Sequence, residues 1–149
     1  MSEMADDVRA LVHKTSIASA TIGVVLSPVP LLDEIVLVPV FAAMTKRIAR
    51  RHALARVPWS PVVKSIVIGL VARGVVIIPF APVPGVSTAV DAATAVALTE
   101  ILGEYVDAVC RDPSSAKPLK VREVVAMIQR AVRKSKAVQA AQAAVGRAS

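Results

Sequence analysis

An all-α fold of two tandem helical hairpins and a basic amphipathic C-terminal helix is predicted by three observations. Two uncharged Pro-x-Pro corners, Pro28-Val29-Pro30 and Pro82-Val83-Pro84, each separate a pair of apolar runs. Proline lacks an amide proton and restrains the residue before it, so each corner reads as a tight reversal between helices. The third observation is the segment from Leu119, where Val121, Val124, Val125, Ile128 and Val132 fall on one helical face and the cations mostly elsewhere.

The first helix is capped by Ser2 or Asp6 and runs to about Leu26, with Glu3, Asp6 and Asp7 where the helix dipole favours negative charge. From Thr15 to Leu32 no residue is ionisable. The helical part of that stretch spans only about 18 Å, too short to cross a bilayer core. The second helix begins near Leu32 or Asp33, is kinked by Pro39, and ends in the basic run Lys46, Arg47, Arg50, Arg51, His52, Arg56. Val57-Pro58-Trp59-Ser60-Pro61 is the clearest internal boundary, and Trp59 suits either an interface anchor or a core plug. Helix three runs from about Val62 to Ile78 and is apolar nearly all round, with Lys64 at its start and Arg73 in its interior. Helix four, about Ser87 to Cys110, opens on a Ser87 or Thr88 cap. A polar loop, 111–118, leads to the last helix, about Leu119 to Val145, which should fray past Ala137. Residues 1–111 thus form a duplicated hairpin domain, with repeats of about 5–56 and 57–111, and 112–149 a linker and terminal helix.

A hydrophobic share of 55% exceeds the roughly 45–50% of ordinary soluble domains. The excess implies membrane contact or a broad apolar interface, although abundant Ala and Val in a helical protein raise the same figure. Net charge +7 favours an anionic partner. The single Cys110 forms no internal disulfide and suits a buried thiol, while the acidic N-terminus lacks the basic residues of a cleavable signal. Both termini are expected in the cytoplasm.

The pattern of Pro28-Val29-Pro30, Asp33 and an apolar helix ending in Lys46-Arg47-Ile48-Ala49 resembles that of EcsC-type proteins. It is similar also to the helical domain of unknown function that follows Era-like GTPase domains in some bacterial proteins. The resemblance covers roughly residues 15–110 and implies a bacterial, helical, membrane-associated or GTPase-linked protein. With no GTPase domain here, such a link would be to a separate protein.

Catalytic patterns are missing. Gly69 to Gly74 has the glycine spacing of a phosphate loop, but Val75-Val76 stand where Lys and Ser/Thr are required. His13, His52 and one cysteine make no zinc set, and no serine sits in a nucleophile elbow. We expect no enzyme and no cofactor. Ionisable residues within apolar segments carry the most meaning: Asp33, Glu34, Arg73, Asp91 and Glu100. A lone charge in a dry core is costly, so Arg73 should pair with Asp91 or Glu100, or face water or a partner chain. The acids at 33–34 equally suit a helix N-terminus, and an Arg73 pair equally suits fixing hairpin register. Small residues recur four apart at Ser19, Gly23, Ser27 and at Ala89, Ala93, Ala97, spacing that permits close helix approach.

The leading expectation is a scaffold or adaptor at the cytoplasmic face of the membrane, its hairpins dipping into one leaflet or assembling with copies of itself. Lys46, Arg47, Arg50, Arg51, Arg56, Arg130, Arg133, Lys134 and Lys136 would then meet anionic lipid from one face. The alternative is a soluble, cytoplasmic, self-assembling or partner-binding adaptor, favoured by Pro39 and the charges inside helices two to four. Nucleic-acid binding through the basic patches is the weaker third, since apart from Trp59 they carry no aromatics.

Overall fold

Apolar residues recurring at helical spacing, interrupted by proline, produce helices of 13 to 26 residues. The computed structural model describes residues 6–26, 32–83, 85–114 and 116–148. Among them are six α-helices and no strand: α1 (Asp6–Leu26), α2 (Leu32–Arg51), α3 (Trp59–Ile77), α4 (Val86–Arg111), α5 (Val121–Lys134) and α6 (Lys136–Ala148), with a 3-10 turn at Ile78–Phe80 after α3.

Helix α4 is the hub, packing against each of the other five, and its most extensive partner is α1. Sequential neighbours α1 and α2, and α3 and α4, also touch. The α1 to α4 seam is antiparallel: Ser19 meets Thr99, and Val12 lies against Gly103. Helix α3 also runs antiparallel to α4, with Gly69 on Leu98 and Arg73 beside Thr94. The C-terminal ends of α1 and α3 therefore lie at the same end of the bundle as the N-terminal end of α4, and the 52–58 turn lies at the other with Asp7 and Asp107.

Two glycines set how closely α4 is approached. A Cβ on Gly103 would stand 2.5 Å from Val12 Cγ2, and one on Gly69 would stand 2.4 Å from Leu98 Cδ1. Buried hydroxyls in these apolar faces are satisfied by their own helices: Ser16 donates to Val12 O at 3.0 Å and Thr45 to Phe41 O at 2.8 Å. The Ser19 and Thr99 hydroxyls hydrogen-bond across the seam at 3.0 Å.

Two apolar clusters fill the interior. One joins α1 and α2 (Val8, Val12, Leu37, Phe41, Ile48) to Val62, Leu98 and Leu102. The other joins α3 and α4 (Ala72, Val76, Val90, Ile101) to Val124, Ile128 and Val132 of α5 and Val138 of α6. The first cluster crosses residue 56/57 and so draws on both repeats, whereas the second lies wholly beyond it and joins the second repeat to α5 and α6.

Several local expectations are corrected. The terminal helix is two helices, because Ser135 adopts an extended backbone (ψ 117°) and its hydroxyl takes the Val138 amide at 3.4 Å. The segment past Ala137 is helical to Ala148, held by buried Val138. Neither Ser87 nor Thr88 is the first cap of α4. Gly85 holds that place with φ +80°, a conformation open to glycine, and the Ser87 amide donates to Val83 O of the preceding turn at 3.0 Å. At the α1 start, Asp6 is already helical and Asp7 accepts from the Val8 amide; Ser2 lies outside the described residues. Helix α2 ends in a backbone 6→1 closure, Leu54 N to Ala49 O at 3.1 Å, with Ala53 left-handed at φ 52°.

Candidate functional site

Along α3 the residues Val63, Val67, Val71 and Val75 recur at i+4, so they form one ridge along the helix. The ridge faces outward: Val67 is 54% exposed and Ile78, which prolongs it, 71%. The opposite side of α3 is buried on α4 and α5 through Ile66, Gly69, Ala72, Arg73 and Val76. At the same end as Ile78, neighbouring α2 exposes Ile35, Val36 and Val38. From Val67 to Pro82 this outer surface carries no charge, because the one charged residue, Arg73, points inward. Trp59, at the start of α3, is 38% exposed. Two helical stretches, Trp59–Phe80 and Val86–Arg111, are long and apolar enough to cross a membrane by length and composition.

Arg73 is fully buried. Its Nε donates to Thr94 Oγ1 at 3.1 Å, and its Nη2 lies 3.5 Å from the Asp91 carbonyl and 3.9 Å from Asp91 Oδ1. Asp91, itself 9% exposed, is thus the acid beside Arg73. Glu100 is not, and it is not buried. It stands on the other side of α4, at a surface hollow of about 340 Å³ lined by Arg9, Val12, His13 and Glu104. The reason is helical phase, since Arg73 reaches the α4 face of Asp91 and Thr94 while Glu100 shares a face with Glu104 toward α1. Desolvation there still holds the Glu100 carboxyl above its ordinary value; His13 opposes this and Glu104 adds to it. Asp33 and Glu34 open α2, but their side chains lie outside the described set.

Of the corner prolines, Pro82 is exposed in the turn after the 3-10 segment, and Pro28, Pro30 and Pro84 lie outside the described residues. Ala97 is buried in the α4 stripe of small residues and Ser19 in that of α1.

The cations divide between two sites. Lys46, Arg47, Arg50, Arg51 and Arg56 are exposed around the far end of α2, where Arg51 pairs with Asp7. Arg130, Arg133, Lys134 and Lys136 are exposed elsewhere. Ala131, Ser135 and Ala137 line a hollow with Ala89, Ala93 and Ala97 of α4, so the α5–α6 junction sits beside the N-terminal half of α4. That half lies at the opposite end of the bundle from the basic end of α2, so these basic segments are not gathered on one face as expected.

A buried polar group that the sequence reading passed over is Asp107, 1% exposed. Its Oδ1 lies 2.8 Å from His52 Nε2 and its Oδ2 accepts from Arg111 Nη2 at 2.9 Å, which fastens the end of α2 to the end of α4. Neighbouring Cys110 is buried, and burial with the Asp107 charge pushes its thiol up to about 11. Among the described residues no group of three His, Cys, Asp or Glu is placed to hold a metal ion. Gly69 and Gly74 sit within α3, in regular helix.

No protein-family model matches the chain, and no curated protein or solved structure matches it significantly. The class defined by these observations is therefore structural: an all-helical bundle around a central α4, with an exposed apolar ridge on α3 and separate cationic surfaces at the end of α2 and at the α5–α6 junction among the described residues.

Proposed function

We propose that the chain is a non-enzymatic, membrane-associated scaffold or adaptor that meets the cytoplasmic leaflet through the outer face of α2 and α3. The observation that carries this reading is the uncharged Val67–Ile78 ridge, continued by Ile35, Val36 and Val38. A soluble monomer seldom leaves so long a row of branched aliphatic side chains in water. The cations of α2 stand at the end of this face, where lipid headgroups would lie.

The separate placement of Arg130, Arg133, Lys134 and Lys136 shapes the docking mode. Burying the corner end deeply in hydrocarbon would drag these four cations with it, at high cost. Side-on contact through α2 and α3 avoids that and keeps α5 and α6 in water. The fold is read as a duplicated hairpin.

A second reading rests on the regular i+4 spacing of the ridge, which suits ridge-into-groove packing on another helix. The same face would then close on a second copy, giving a soluble homo-oligomer. The two readings separate on fractionation of the expressed protein through a high-salt wash and then an alkaline carbonate wash. Retention through both supports lipid contact. Release as a monodisperse, detergent-free oligomer overturns it in favour of self-assembly. Val67→Glu with Val71→Glu should abolish whichever association is real and leave the helical content unchanged.

A further inference from the structure

We infer that the seam between α1 and α2 is a binding site for an anionic amphiphile, a phosphate-type head carrying an acyl or alkyl chain. At the Asp7 end of the seam lies a hollow of about 520 Å³ lined by Asp7, Ala10, Leu11, Lys14, Arg47, Arg50 and Arg51. Arg51 is neutralised by Asp7. The side chains of Lys14, Arg47 and Arg50 make no ion pair among the described residues. Three cations from two helices thus converge on one concavity, which favours an anion with several acceptor oxygens. Lys14 belongs to this set although it lies far in sequence from the 46–56 run.

The same hollow continues into a groove of about 260 Å³ along the seam, lined by Ala18, Val40, Ala43 and Met44 and sharing Leu11, Lys14 and Arg47 with it. Its one further polar group, the Thr15 hydroxyl, is already committed to Leu11 O at 2.9 Å. From Leu11 to Ala18 the groove follows α1 for about 10 Å, enough for the upper part of an alkyl chain. A cationic hollow alone would take any polyanion. An apolar groove opening from it selects a ligand with a charged head and a tail, and the charge complementarity fixes which end lies where.

This site does not require the α3 ridge to face lipid, since a dispersed amphiphile would bind the protein in solution. The test is isothermal titration of the full chain with dodecyl phosphate below its micelle concentration, beside inorganic phosphate, dodecyl maltoside and dodecyltrimethylammonium. Dodecyl phosphate should give one saturable event, at least about tenfold tighter than inorganic phosphate, and the neutral and cationic amphiphiles should bind much more weakly. Arg47→Gln and Lys14→Gln should each weaken it by about tenfold, the loss expected for one charge-assisted contact. Ala43→Phe, at an exposed position, should weaken dodecyl phosphate and leave inorganic phosphate unchanged. Arg133→Gln, on the other cationic surface, should change nothing. Equal affinity for phosphate with and without the tail would overturn the amphiphile in favour of a plain anion site. Indifference to both Arg47→Gln and Ala43→Phe in folded protein, judged by circular dichroism, would overturn the site altogether.

Discussion

Helices α3 and α4 pass the same test of length and apolarity for a membrane span, yet they occupy opposite situations. The apolar core of the Trp59–Phe80 stretch, α3 and its 3-10 extension, is more hydrophobic and 39% buried, whereas that of α4 is less hydrophobic and 61% buried. The less hydropathic helix is the one the protein encloses. Apolarity alone does not say what a helix faces; α4 spends its apolar surface on five neighbours, and α3 leaves a ridge over. The inward side of α3 nevertheless resembles α4, since it holds a glycine contact and a buried charge.

That two-sidedness is tested most severely at Arg73. Arg73→Met removes the cation beside Asp91 and leaves an acid at the helix interface, with an expected loss of about 3–5 kcal/mol in urea denaturation. On the outer side of α3, Val67→Ser should change stability by less than about 0.5 kcal/mol. If the valine change proves as costly as the arginine change, the ridge is buried in solution by a second copy. Concentration dependence of the transition would then confirm the oligomer.

Glycines give the next contrast. Gly103→Leu on α4 drives a side chain into Val12 and should cost about 3 kcal/mol, with α1 displaced. Gly74→Ala on α3 meets nothing within 4 Å and should stabilise by about 0.5–1 kcal/mol through helix propensity. A tolerated Gly103→Leu would mean that the α1 to α4 seam is looser than the close approach implies.

Asp107 fastens the charged end of the bundle. Asp107→Asn keeps the shape but weakens the links to His52 and Arg111, with an expected loss of about 1–2 kcal/mol. Native Cys110, buried and with its thiol pushed up to about 11, should resist alkylation at neutral pH. It should react faster in Asp107→Asn, which both loosens the site and removes a charge that disfavours the thiolate. Unchanged stability together with unchanged thiol reactivity would remove Asp107 from this role.

Several helix limits were legible because proline and charge mark them: α2 begins at Leu32 and ends in its basic run, and α3 stops at the residues before Pro79, although it starts at Trp59, three residues before the expected Val62, because Pro61 fits a first helical turn. The α5–α6 break was not, because Ser135 interrupts an otherwise continuous apolar stripe by a local hydrogen bond that no periodicity shows. The i+4 valines of α3 could be read from the sequence, but which side of α3 turns outward is decided by α4 and α5. Asp107 was invisible for a different reason, since its partner His52 lies in the turn after α2 and only the packing of α2 on α4 brings the two ends together. Lys14 likewise joins Arg47 and Arg50 only once α1 and α2 are laid side by side.

The smallest effect belongs to Glu100, an α4 carboxylate that reaches the surface beside Glu104. Partial desolvation raises its pKa above 4.5 in the folded chain, so the fold disfavours the ionised form relative to the unfolded chain. Below pH 4.5 the carboxyl is largely protonated in both states and contributes nothing. Between that value and the raised folded value the unfolded chain ionises first, and stability falls as pH rises through the window. It stays at the lower level above. Glu100→Gln abolishes this dependence and relieves the repulsion from Glu104, so it should raise the urea midpoint slightly at pH 7 and leave it unchanged near pH 4. A fall at pH 7 would mean that attraction to His13 and Arg9 outweighs desolvation in this hollow. Glu100 would then be a tie between α1 and α4, and the exposed rim of α4 would contribute to holding the bundle as its buried face does.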